Sequence, residues 1–196
     1  MYINIAVEDI LSESVIRLLI ERYGRSLLIK TCYCKGGFGY LKKSIRSFNK
    51  ASRYIPFFVL TDLDKISCPP GLLKDWLDEA LHERLILRIA VREVESWLLA
   101  DRMNISRYLS VSKDRIAVDI ESIIDPKQYI FSIARSSKSR TIREGIPPAP
   151  ESTAHCGPDY NNLLIHFVRE EWEPESARKN SHSLEKAIIA ISSFTG

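Results

Sequence analysis

An α/β fold built on a parallel sheet of roughly four strands, flanked by helices, is predicted by two observations on the first hundred residues. Short apolar runs of strand length alternate with longer segments of helical period, and charged or glycine-containing breaks separate them. Strands separated by helices need crossover connections, which set the strands parallel. A third observation locates the chemistry. Acidic residues gather where the apolar runs end, and open parallel sheets bind ligands at the carboxyl ends of their strands.

The elements follow in order. Residues 2–7 (YINIAV) read as a strand, and 10–24 (ILSESVIRLLIERYG) as a helix with Leu11, Val15, Leu18 and Leu19 on one face and Gly24 as its stop. Residues 26–33 form a second strand. The turn KGGFG (35–39) leads to a helix in which Leu41, Ile45 and Phe48 make an apolar stripe and Lys42, Arg46, Lys50 and Arg53 a basic one. Pro56 opens a third strand, FFVLT (57–61), with Asp62 at its carboxyl end. Residues 71–83 (GLLKDWLDEALHE) read as a short acidic helix, 84–91 (RLILRIAV) as a fourth strand, and 92–101 (REVESWLLAD) as the segment into which it runs. Beyond residue 102 the strand signals fade. Residues 125–137 and 161–172 have helical period, 138–160 read as a charged, proline-containing connection, and 183–194 form a closing helix with Ser183 as its N-cap. The expected organisation is an α/β core over 1–101 and a helical C-terminal appendage over 102–196, packed on it as one structural unit.

The chain has 196 residues, enough to bury a core without a staple, and its net charge of +3 makes any basic surface a local one. No run approaches the length of a membrane span, and acidic residues interrupt the N-terminus where a signal peptide needs an apolar stretch; the expected compartment is the cytoplasm. The cysteines at 32, 34, 68 and 156 match neither zinc spacing nor a disulfide framework, so reduced thiols are expected, in packing roles.

The strand ends carry the chemistry. The first delivers Glu8 with Asp9 beside it, the third Asp62 and Asp64, and the fourth runs into Glu93 and Glu95. Converging carboxylates repel one another unless cations neutralise them, and hard oxygen donors suit Mg²⁺ or Mn²⁺. In an extended segment Asp62 and Asp64 point one way while Leu63 faces the core. Turn formation and helix capping are the plain alternatives for Asp62 with Asp64 taken alone, and the opening of a helix is the alternative for Glu93 with Glu95.

The pattern resembles the Toprim fold shared by topoisomerases, bacterial primases and nucleases of the overcoming-lysogenisation-defect type. Glu8 in IAVEDILSES matches that family's glutamate after the first strand, and Asp62 and Asp64 in VLTDLDK match its DxD after the third. The segments AVREVESWLLAD, GPDYNNLLIHFV and SHSL resemble a narrower group of Toprim-like bacterial proteins of unassigned function, which often accompany an ABC-type ATPase in phage-defence loci. Asp9 departs from the glycine usual after that glutamate, either crowding the site or adding a ligand, and Glu13 stands where nuclease relatives place a further acid. The resemblance implies a Mg²⁺-dependent nuclease acting on DNA or RNA. Glu8 would be a general acid, a base or a ligand, Asp62 and Asp64 the metal ligands, and Glu93 or Glu95 would complete the set.

Lys35 before GGFG and the group Lys138, Arg140 and Arg143, with Arg135 nearby, are the candidate nucleic-acid contacts. The rival reading, from another class, is a non-catalytic regulatory or sensor subunit of an ABC-type ATPase complex. A weaker one is nucleotidyl transfer on a small substrate.

Overall fold

The computed structural model describes residues 1–77 and 79–195. Its contacts divide the chain into two compact units: Met1–Val91 together with the chain from Ser183 onward, and Arg92–His182.

The first unit is an α/β sandwich on a four-stranded, all-parallel sheet, as the alternation predicts. In order it contains β1 (Tyr2–Ala6), α1 (Ile10–Tyr23), β2 (Leu28–Tyr33), α2 (Gly37–Ala51), β3 (Phe57–Asp62), α3 (Pro69–Trp76) and β4 (Leu85–Ala90). The strand order is β2-β1-β3-β4, every neighbouring pair being parallel. From β1 the chain steps outward to β2, returns across β1 to β3, then continues to β4. Right-handed crossovers therefore put α1 on one face and α2 with α3 on the other. The core matches this. Leu41, Ile45 and Phe48 of α2 and Leu72 and Trp76 of α3 cluster with Ala6, Phe57, Val59, Leu85, Leu87 and Ile89 of the sheet. The alternate set, Ile3, Ile5, Phe58, Leu60 and Ile86, is buried on the opposite face.

Several boundaries differ from the sequence reading. The turn KGGFG is partly helix: Gly36 and Gly37 take φ of +144° and +65°, and α2 starts at Gly37. These left-handed conformations favour glycine at both positions. The helix expected over 71–83 ends at Trp76, because the buried Asn49 of α2 claims the following backbone. Asn49 Nδ2 donates to Ala80 O at 3.0 Å and its Oδ1 accepts from His82 N at 2.7 Å. Asp78, inside that expected helix, lies outside the described residues.

The second unit is helical among its described residues: α4 (Val94–Ala100), α5 (Arg102–Tyr108), a 3₁₀ turn (Lys113–Arg115), α6 (Pro126–Arg135), α7 (Arg140–Gly145), α8 (Tyr160–Glu170) and α9 (Pro174–Ala177). Its core includes Trp97, Phe131, Leu164, Phe167 and Trp172, and Trp172 Nε1 donates to Trp97 O at 3.3 Å. The expected open connection over 138–160 contains α7, anchored by the buried Ile142 and Ile146. Gly157 then crosses Gly145 so closely that a Cβ there would stand 2.3 Å from Gly145 O.

The last helix, α10 (His182–Ser192), begins one residue before the expected cap, so Ser183 is within its first turn. Its hydroxyl oxygen accepts from Val91 N at 3.3 Å, and Arg88 Nε donates to Lys186 O at 3.3 Å. Those two bonds hold α10 beside β4.

Candidate active site

The order β2-β1-β3-β4 reverses direction at β1, so the crevice beyond the carboxyl ends of β1 and β3 is the sheet's topological switch point. Glu8 follows β1 and Asp62 ends β3. Their meeting is direct: Glu8 Oε1 accepts from the Thr61 hydroxyl at 2.5 Å and from Asp62 N at 2.9 Å. With Oε1 held by two donors, Oε2 is the oxygen left for a proton or a cation. Burial pushes the Glu8 carboxyl above its ordinary value of 4.5. The two hydrogen bonds oppose that rise, and the nearby charges of Asp64 and Asp9 add to it.

Leu63 is buried at 1% exposure, as the alternation requires. Asp64 is not extended. The strand ends at Asp62, Leu63 N still donates to Ala90 O at 2.9 Å, and Asp64 turns into the left-handed region at φ +49°. The expected shared direction of Asp62 and Asp64 is therefore replaced by a turn. That conformation is uncommon for a residue with a Cβ, though aspartate is among the most tolerant.

Asp9 has a structural job. It is the N-cap of α1, with Oδ1 accepting from Ser12 N at 2.8 Å. Glu13 is paired with Arg17 at 2.7 Å. It also faces Cys32, whose thiol is pushed up to about 12 by burial and then by that carboxylate. Lys35 is exposed in the turn after β2, where Gly37 N donates to the Glu8 carbonyl at 3.2 Å. This brings the start of α2, which has no side-chain cap, to the same edge. Thr61 is the contributor that sequence reading missed. A threonine ending an apolar strand reads as ordinary β-propensity.

Glu93 and Glu95 belong to the second unit. Glu93 is at the N-cap position of α4, and its Oε2 accepts from Lys127 N at 3.0 Å. Glu95 is 3% exposed, accepts a hydrogen bond from the Tyr160 hydroxyl, and has Lys127 Nζ at 3.9 Å. That ammonium also lies 4.8 Å over the Tyr160 ring, so a buried carboxylate is balanced by a phenol and a cation.

Of the basic candidates, Arg140 pairs with Glu144 at 2.8 Å and Arg143 donates to Ser137 O at 2.7 Å. Lys138 is exposed. Lys42, from the α2 stripe, pairs with Asp75 at 2.6 Å. All four cysteines are free.

Among the described residues no three His, Cys, Asp or Glu side chains form a ready-made metal cage, and no helix is long and apolar enough to cross a membrane. Compared with family models, with curated proteins and with solved structures, the chain matches none.

Proposed function

We propose that this protein is a Toprim-like, Mg²⁺- or Mn²⁺-dependent phosphodiesterase, a nuclease acting on DNA or RNA in the setting of anti-phage defence. The observation that carries this reading is Glu8. A carboxylate fixed through Oε1 at the switch point, under repulsion from Asp64 and Asp9, is a hard donor whose charge is unfavourable until something neutralises it. The residues fit such a cation by chemistry: Glu8, Asp62 and Asp64 offer only oxygen donors.

When bound, a divalent ion would supply charge neutralisation, phosphate coordination and a more acidic water. The chain's own residues do the rest. Thr61 and the Asp62 amide orient Glu8, and its raised affinity for a proton suits it to accept one from water. Lys35 and the uncapped amides that open α2 favour an anionic phosphate beside the carboxylates. In the second unit the Tyr160 hydroxyl and Lys127 ammonium hold Glu95, and Lys127 N holds Glu93 Oε2.

The test is a thermal-shift titration with Mg²⁺ and Mn²⁺, wild type against Asp62→Ala, followed by cleavage assays on DNA and RNA. At a metal concentration a hundredfold above Kd the wild type gains about 2.7 kcal/mol, while the variant gains little and cuts nothing. Cleavage by Asp62→Ala at the wild-type rate sinks the proposal. No shift in either protein moves the regulatory subunit of an ABC-type ATPase ahead, and co-purification with an ATPase is then the decisive observation.

A further inference from the structure

Within the second unit, a hollow of about 500 Å³ is lined by Ser110, Val111, Ser112, Arg115, Ser136 and Lys138. Its lining is unusual in kind: three hydroxyls, a guanidinium, an ammonium and a single apolar side chain. The walls are held from behind. Lys138 N donates to Ser110 O at 3.2 Å, and the Tyr129 hydroxyl of α6 donates to Arg115 O at 2.7 Å while accepting from Ala117 N at 2.9 Å. Arg115 Nη1 donates to Ser136 Oγ at 2.9 Å, which fixes the guanidinium and leaves most of its five N–H donors unused.

Neither Arg115 nor Lys138 is paired with a carboxylate among the described residues. This contrasts with Arg140, whose charge is met by Glu144. The stretches 110–115 and 135–143 that supply the hollow carry six basic residues and one acidic, Asp114, whose Oδ2 is 3.3 Å from Ser112 Oγ. Ser110 is held at φ +53°, a strained conformation for serine that turns the chain at the rim.

From these observations we infer that the Ser110–Lys138 hollow is a binding site for phosphates of a nucleic-acid backbone, separate from the carboxylates at the sheet edge. Planar guanidinium, ammonium and hydroxyl donors match phosphate oxygens, and charge-assisted bonds of this type are the strong ones. Among the described residues no aromatic ring lines the hollow, so bases have nothing there to stack on and the contact is independent of sequence. Four of the six lining residues are exposed and the hollow opens at the surface, which suits a polymer passing across it. The inference rests on the proposed function only in taking a nucleic acid as the ligand.

The test is fluorescence anisotropy with labelled 30-nucleotide single strands of DNA and RNA, in EDTA, over a range of salt concentrations. Binding is thus read without metal or cleavage, and Asp62→Ala serves as a parallel sample. Arg115→Ala/Lys138→Ala should bind about tenfold more weakly, with a salt slope reduced by roughly 1.5 for two lost phosphate contacts. Both residues are exposed, and a circular-dichroism melt checks the fold. A control of equal charge loss, Arg25→Ala/Lys179→Ala, should leave the slope unchanged. The inference is overturned if the double variant keeps the wild-type affinity and slope, or if the control loses as much. It is also overturned if a millimolar nucleoside monophosphate displaces the strand completely, which would make the ligand a small phosphate. Asp62→Ala, which lies outside the hollow, should bind with the wild-type affinity and slope, so that failure of the metal site and failure of the hollow give different readouts.

Discussion

Glu8 is where burial, hydrogen bonding and repulsion meet, and each has a measurable sign. Its folded-state pKa is raised, chiefly by burial, so the folded protein holds this proton at pH values where the unfolded chain has lost it. The stability it contributes is fully present below 4.5 and is lost as pH rises through the raised value. Glu8→Gln keeps an oxygen to accept from Thr61 and Asp62 N without the charge. In EDTA the variant should therefore melt above wild type at pH 8, and the gap should close toward pH 4. An equal or lower melting point at pH 8 would mean that the two hydrogen bonds outweigh the burial. Asp9 gives a second prediction. As an N-cap it should cost about 1 kcal/mol when changed to alanine but only a few tenths when changed to glycine, itself a tolerated cap. Asp9→Gly should also keep the metal-induced shift, because the carboxylate is committed to Ser12 N; a lost shift would make Asp9 a ligand. The sequence sets Asp9 only against the metal site, because an aspartate beside Glu8 reads first as one more acid there.

At the scale of elements, the connection from α3 to β4 depends on one side chain. Asn49 is 6% exposed and meets one acceptor and one donor of residues 80–82. Asn49→Ala leaves the Ala80 carbonyl and the His82 amide without that partner, at a cost of about 1–3 kcal/mol in a urea melt. A change under a few tenths would show that water replaces the amide freely. The helix predicted through residue 83 failed for this reason: helical period is a local signal, and a buried amide reaching from α2 is not. The missed α7 differs. Its six residues between polar and proline-rich stretches are too few to display a period, and only the burial of Ile142 identifies its inner face.

Over the whole molecule, the parallel sheet was legible because each strand is a nearly continuous apolar run. The gathering of Glu8 with Asp62 followed from strand ends alone. What left no trace was the return of residues from 183 onward to the first unit, since nothing local to residue 183 announces a bond to residue 91. That return makes Arg92–His182 an insertion between chain ends that already touch, Val91 N and Ser183 Oγ being 3.3 Å apart. A linker of roughly three residues spans such a gap. Deleting residues 92–182 and joining the ends should leave a protein with a cooperative melt and a far-UV spectrum of mixed helix and strand. A fragment of residues 1–101 should fare worse. It lacks Leu184, Ala187, Ile188 and Ile191, which are among the buried side chains of α10, and each large apolar side chain left without its cover forfeits about 1.5–3 kcal/mol. Summed over that helix, the loss rivals the whole stability of an ordinary domain. If residues 1–101 melt as cooperatively as the joined protein, α10 is a dispensable cover and the sheet unit is complete without it. If only the joined protein folds, the insertion can be removed without losing the sheet, and the acidic edge can be assayed in the absence of the Ser110–Lys138 hollow.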